Sequence, residues 1–168
     1  MAPLSTARRV NLIALYTLLA AVVSLLAARV ATHDLRGYHH LVGPFGVELS
    51  YDYGNILDHH TPTPLGLGLH IALWVALWTL LALTLRTHVS SLALGLCGGG
   101  ALTSSTLAIV GHRVPNYIVL GSFATCNVSD LFLTVGIVLL TLSITAETRR
   151  RYRLHTSTHR QQELRVES

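Results

Sequence analysis

The sequence predicts an all-α membrane protein: four transmembrane helices with a small extracytoplasmic β element between helices 1 and 2. Three observations lead there. Of 168 residues, 51% are hydrophobic and only 12% are Asp, Glu, Lys or Arg, with a mean hydropathy of +0.50. Soluble domains carry about a quarter charged residues, so a soluble globular domain, a disordered tail and a nucleic-acid-binding module are all disfavoured. Secondly, the apolar residues gather into runs of spanning length. Thirdly, the net charge of +4 comes from 12 arginines and no lysine, most of them near the two ends of the chain.

A bilayer core takes about 20 apolar residues in a helix. The stretch 10–28 carries no charge, and 65–85 holds only His70, with Trp74 and Trp78 one turn apart. The stretch 89–110 is uncharged and rich in small residues. The fourth run, 131–146, is short and reaches spanning length only from residue 128, which puts Asp130 in its first turn. The expected spans are therefore about 10–28, 65–85, 89–110 and 128–146. They form one membrane domain over 1–148, followed by a basic tail, 149–168, expected as a frayed helix near anionic headgroups.

Arginine collects on the cytoplasmic side of membrane proteins. Arg8 and Arg9 precede the first span, Arg86 separates the second from the third, and six arginines from Arg149 to Arg165 follow the fourth. The other side receives Arg29, Arg36 and Arg113. Both termini are thus expected in the cytoplasm, with 30–63 and 111–127 outside. The first apolar run exceeds the roughly 7–15 residues of a signal-peptide core, which favours a retained span over cleavage near Ala27–Ala31. In the first outer loop, Val47-Glu48-Leu49-Ser50-Tyr51-Asp52-Tyr53 alternates as a half-buried strand does. Gly43-Pro44 before it and Gly54-Asn55 after it are turn pairs.

Few residues can carry chemistry. Asp130 is either a functional carboxylate at membrane depth or an N-terminal helix cap stabilised by the helix dipole. Asn127-Val128-Ser129 matches a glycosylation sequon, read here as coincidence because it adjoins the membrane. Gly95, Gly99, Gly100, Thr103 and Ser104 form small-xxx-small pairs, which let helix backbones approach closely; no lysine follows them, so a phosphate loop is disfavoured. His33, His39, His40, His59 and His60, with Asp58, lie in the first outer loop and His112 in the second, without HxH or HxxxH spacing. A Zn²⁺ or Cu²⁺ site is therefore the weakest reading. His70 fits a packing role. Cys97 and Cys126 are too few for a disulfide scaffold or a zinc site. No metal and no cofactor is expected.

The order of these features resembles lipoprotein signal peptidase, the membrane aspartic peptidase of bacteria also called signal peptidase II. That family shows Gly-Gly-Ala-Leu-Gly-Asn-x-x-Asp-Arg, then Val-Val-Asp-Phe, then Phe-Asn-x-Ala-Asp. The corresponding stretches here are Gly99-Gly100-Ala101-Leu102-Thr103-Ser104, Val114-Pro115-Asn116-Tyr117-Ile118 and Cys126-Asn127-Val128-Ser129-Asp130. The resemblance covers about residues 8–148 and is most specific in the last 50 of them. It implies cleavage of a prolipoprotein just before the diacylglyceryl-cysteine by two aspartates sharing a proton. Asp130 matches the second aspartate, and Asn116 stands at the position of the first. By the same resemblance Asn127, Ser104, Asn55 and Asp34 are binding or framework positions. Leu107 and Ala108 replace the family's Asp-Arg.

An amide neither takes nor gives a proton at neutral pH, so the resemblance implies an impaired peptidase. Two alternatives accompany it: a surviving enzyme that recruits Asp52, Asp58 or Asp34 beside Asp130, and a pseudoenzyme that binds lipidated peptides or a membrane partner. A metal-handling membrane protein is a third. The expected partners are a lipid-modified precursor peptide and membrane lipids, not nucleic acid, and the chain is read as a monomer.

Overall fold

The computed structural model describes residues 5–35, 39–42, 45–52, 75–85, 87–111, 113–122 and 124–166. Helix α1 spans Thr6–Asp34, and its N-cap Ser5 accepts a hydrogen bond from the Arg8 N–H at 3.4 Å. Strands β1 (His39–Val42) and β2 (Phe45–Asp52) follow. Helix α2 is described over Val75–Thr84, α3 runs His88–Gly111, β3 Val114–Leu120, β4 Ala124–Cys126 and α4 Val128–Val166.

Among the described residues, three helical stretches are long and apolar enough to cross a membrane: Thr6–Asp34, His88–Gly111 and Val128–Arg150. The expected second span is represented by the shorter Val75–Thr84, its first half, 65–74, lying outside the described residues. The basic tail differs from expectation in continuity, because α4 runs on as helix to Val166.

Large side chains face outward and small ones inward. Leu18, Leu26, Ile109 and Leu142 are about 60% exposed, whereas the buried stripe of α1 is Ile13, Ala20, Ala21, Ser24, Ala28 and Ala31. Lipid tails are as apolar as leucine, so helices associate in a membrane through close packing of small residues. The glycine-rich α3 accordingly sits between α1 and α4. A Cβ on Gly99 would lie 2.5 Å from Ala20 Cβ and 2.7 Å from the Thr17 carbonyl, and one on Gly95 would strike Tyr16. Thr103, one turn on, donates its hydroxyl to Gly99 O at 2.9 Å. Gly100 is pressed against the Ser129 carbonyl of α4, and Gly136 of α4 against Cys97 and Ala93 of α3. The small-xxx-small pairs thus serve two seams rather than one.

At the end away from the strands, Arg9 is 3% exposed and donates from a terminal guanidinium nitrogen to the Leu85 carbonyl at 3.2 Å. Thr87 caps α3 there: its hydroxyl accepts from Ser90 N–H at 3.0 Å, and Ser90 Oγ accepts from Thr87 N–H at 3.1 Å.

The β element corrects the expectation most. It is a four-stranded antiparallel sheet in the order β1-β2-β3-β4, drawing two strands from the 111–127 loop, not only the loop between helices 1 and 2. Ser50 pairs with Asn116 and Val47 with Ile118, so β2 carries one extra residue between them, a β-bulge. Tyr117 roots the sheet in the bundle, packing with Ala28 and Ala31 of α1. Gly121, at φ 59°, makes the β3–β4 turn, a backbone region that favours glycine.

Candidate functional site

Four of the residues singled out in the sequence converge on one network where α3, β3 and the start of α4 meet. Its hub is Asn127, 3% exposed, which immediately precedes α4. Its Oδ1 accepts from the Asp130 N–H at 3.2 Å, while Asp130 Oδ2 accepts from the Asn127 N–H at 3.0 Å. This reciprocal pairing is a capping box and satisfies two of the backbone donors a helix start leaves open. The capping reading of Asp130 is thus realised in the geometry, and it engages one carboxylate oxygen.

The other bonds of Asn127 tie it outward. Its Nδ2 donates to Asn116 Oδ1 at 2.9 Å. Ser129, 2% exposed, donates its hydroxyl to Asn127 Oδ1 and accepts from Ser104 Oγ of α3 at 3.0 Å. Buried polar groups need partners, and this chain supplies them from α3 to β3. Burial and the bond to Asn116 leave Asn127 unavailable as a glycan acceptor. Ser50 donates to the Asn116 carbonyl at 3.3 Å, fixing the strand beside the bulge.

Ser129 and Tyr117 were not singled out as site residues. The Tyr117 hydroxyl accepts from the Val128 N–H at 3.2 Å, another open donor of α4. Only the residue type hinted at this, since a buried tyrosine usually finds a partner for its hydroxyl. Burial pushes the Tyr117 phenol up, the Val128 bond opposes this, and the charges of Asp130 and Cys126 add to the rise.

Among the described residues, the partner of Asp34 is its neighbour His33, and Asp34 takes no part in the Asn127 network. It accepts at Oδ1 from His33 Nδ1 at 2.7 Å on an exposed turn of α1. Asn55, Asp58, His59, His60, His70 and His112 lie outside the described residues. Asp52 is placed by its backbone, which pairs with Val114, two residues from Asn116 along β3. Among the described residues no group of three His, Cys, Asp or Glu side chains is placed to hold a metal.

The fold is shared with a bacterial membrane enzyme. One solved structure of such an enzyme, determined by the in meso method at 2.3 Å resolution, matches with a TM-score of 0.67 and 14% identity over 81% of this chain and 88% of that one. A second, at 1.9 Å, gives 0.66 and 12% identity over 79% of this chain and 91% of that one. No protein-family model and no curated protein matches the sequence.

Between α1, α3 and β3 opens a groove of about 460 Å³, lined by Leu25, Leu26, Ala28, Arg29 and Thr32 of α1, Leu107 of α3 and Pro115 of β3. Its lining is apolar along α1 until Arg29 and Thr32. Strand β4 pairs with Ile118–Leu120, so Pro115, which lines the groove, and Asn116 lie on the part of β3 that precedes this ladder. The Arg113 guanidinium stacks on Tyr51 at 4.2 Å on the same sheet, a cation–π contact.

Cys126 reports on this region. Burial pushes its thiol up, and the charge of Asp130 pushes it further. A raised thiol pKa leaves less reactive thiolate at a given pH. Alkylation of Cys126 near pH 8, followed by peptide mapping, is expected to be slower than that of an exposed thiol and faster in Asp130→Asn. Equal rates in the two proteins would remove Asp130 as the neighbouring charge.

Proposed function

We propose that this chain is a signal peptidase II-like membrane protein that binds lipid-modified peptides at its extracytoplasmic face and hydrolyses them poorly or not at all. The observation that carries the reading is the bond between Asn127 Nδ2 and Asn116 Oδ1 at 2.9 Å. It sets an amide into the network that holds Asp130, where the resembled family has its first aspartate. A carboxylate pair sharing one proton supplies both a base for the water and an acid for the leaving group. Asn116 can do neither. The shared fold of the membrane enzymes supports the scaffold. The apolar groove reaching Pro115 supports the lipid, since it accepts an acyl chain along Leu25, Leu26 and Leu107. The arginine distribution supports an orientation with both termini cytoplasmic and the sheet outside.

The test uses the full chain in detergent with a fluorescent peptide carrying diacylglyceryl-cysteine. Saturable binding is expected, with cleavage absent or about 10²–10⁴-fold below that of a complete acid–base pair. Leu107→Trp, which fills the groove, is expected to weaken binding about tenfold through lost burial of roughly two methylene groups. Efficient cleavage would instead establish an active peptidase using another carboxylate, with Asp52 the first to substitute. Absence of binding would overturn the reading.

A further inference from the structure

The direction of every bond in the network follows from one donor that cannot be reversed. The Asp130 backbone N–H can only donate, and it donates to one end of the Asn127 amide. That end is therefore the carbonyl, and the Ser129 hydroxyl donates to it as well. The opposite end is the NH₂, so its partner atom in Asn116 must be an acceptor, Oδ1. The Asn116 amide is thereby turned with its own NH₂ away from Asn127. Among the described residues nothing accepts from it. Asp130 is placed in the mirror sense: Oδ2 is bound to the Asn127 N–H, and no described residue donates to Oδ1. Both residues are part-exposed while their common support is buried.

A pair of fixed donors on Asn116 and a fixed acceptor on Asp130, braced on the same side chain, complement a peptide main chain. In an extended chain the N–H and C=O of one residue point to the same side and bond the same neighbour. We propose that Asn116 and Asp130 form a main-chain clamp for the lipid-modified peptide: Asn116 Nδ2 donates to a backbone carbonyl and Asp130 Oδ1 accepts a backbone N–H. The positions of the resembled dyad are thereby read as a site that holds an amide rather than one that breaks it. This rests on the lipopeptide-binding reading above and specifies what the site recognises.

A set of diacylglyceryl-cysteine peptides, each with one backbone amide near the lipidated residue replaced by an ester, tests the clamp by fluorescence anisotropy. An ester lacks the N–H. One position is expected to lose affinity by about ten- to hundredfold, the range of a single hydrogen bond to a charged group. Asp130→Asn is expected to weaken the all-amide peptide similarly, and the two losses are expected not to multiply, as for one shared contact. Asn116→Leu, which removes the donors, is expected to weaken all peptides equally. If the all-amide peptide binds but no ester position weakens it, or if the losses multiply, the clamp is wrong and lipopeptide binding stands. If no lipopeptide binds, the functional reading fails first. The ester series on the unmodified chain decides the point even where a variant fails to fold.

Discussion

Asn127→Ala is expected to lower stability by about 3 kcal/mol, the combined cost of a lost N-cap, near 1 kcal/mol, and of buried polar groups left without partners, about 1–3 kcal/mol. For a chain of this length that is about 6–12 °C in Tm. The reason is connectivity. One side chain closes the start of α4 through Asp130, holds Asn116 on β3 and receives Ser129, which in turn receives Ser104 of α3. Alanine opens the bonds from residue 127 to Asp130 N–H, Asn116 and Ser129 at once, in surroundings where Asn127 and Ser129 are almost wholly inaccessible to water. Asn127→Ser separates the contributions. A serine keeps a capping acceptor but loses the donor to Asn116, so about half the loss is expected. Thermal unfolding in detergent measures both. Equal losses in the two variants would show that the cap contributes nothing, and an unchanged Asn127→Ser would show that capping alone matters and that the link to β3 contributes nothing.

This network also shows how far the sequence could be read. Asn127-Val128-Ser129-Asp130 carries the spacing of a capping box, since an acceptor side chain three residues before a carboxylate needs only local backbone geometry. The glycine pairs of α3 were equally legible, because one helix face repeats every three to four residues regardless of what packs on it. Which seam each pair serves was not legible. Gly99 against Ala20 and Gly100 against Ser129 depend on how α1 and α4 lie around α3. The sheet was the larger gap. Val114–Leu120 has the β-branched and aromatic content of a strand, with buried residues alternating along it. However, Pro115 interrupts the pattern, and the partner of Asn116 is Ser50, 66 residues away. A strand is stabilised by its cross-strand neighbours, and a pairing at that separation leaves no local trace. The bond from Asn127 to Asn116 inherits the same difficulty: its ends are 11 residues apart across the β3–β4 turn, and only the turn at Gly121 brings them together.

Gly100→Leu is expected to cost about 3 kcal/mol, the upper part of the range for overpacking a closely packed seam. It is also expected to abolish lipopeptide binding in the fraction that remains folded. A Cβ at residue 100 would lie 2.5 Å from the Ser129 carbonyl and 3.2 Å from the Leu133 N–H. Both are backbone atoms of α4, so no side-chain rotation relieves the clash and the helix itself must move. The carbonyl it strikes belongs to Ser129, whose hydroxyl joins Ser104 to Asn127. Displacing the first turn of α4 therefore breaks the link to α3 and moves Asp130 relative to Asn116. Gly111→Leu is the matched control. It lies at the end of α3 with nothing within 4 Å of an added Cβ, so stability within about 0.5 kcal/mol of the unmodified chain is expected, as at exposed sites without special features. Measuring unfolding and lipopeptide affinity on both variants separates packing from recognition. If Gly100→Leu kept full affinity while losing stability, the position of α4 would matter to the bundle but not to the site. The placement of Asp130 by the α3–α4 seam would then be refuted.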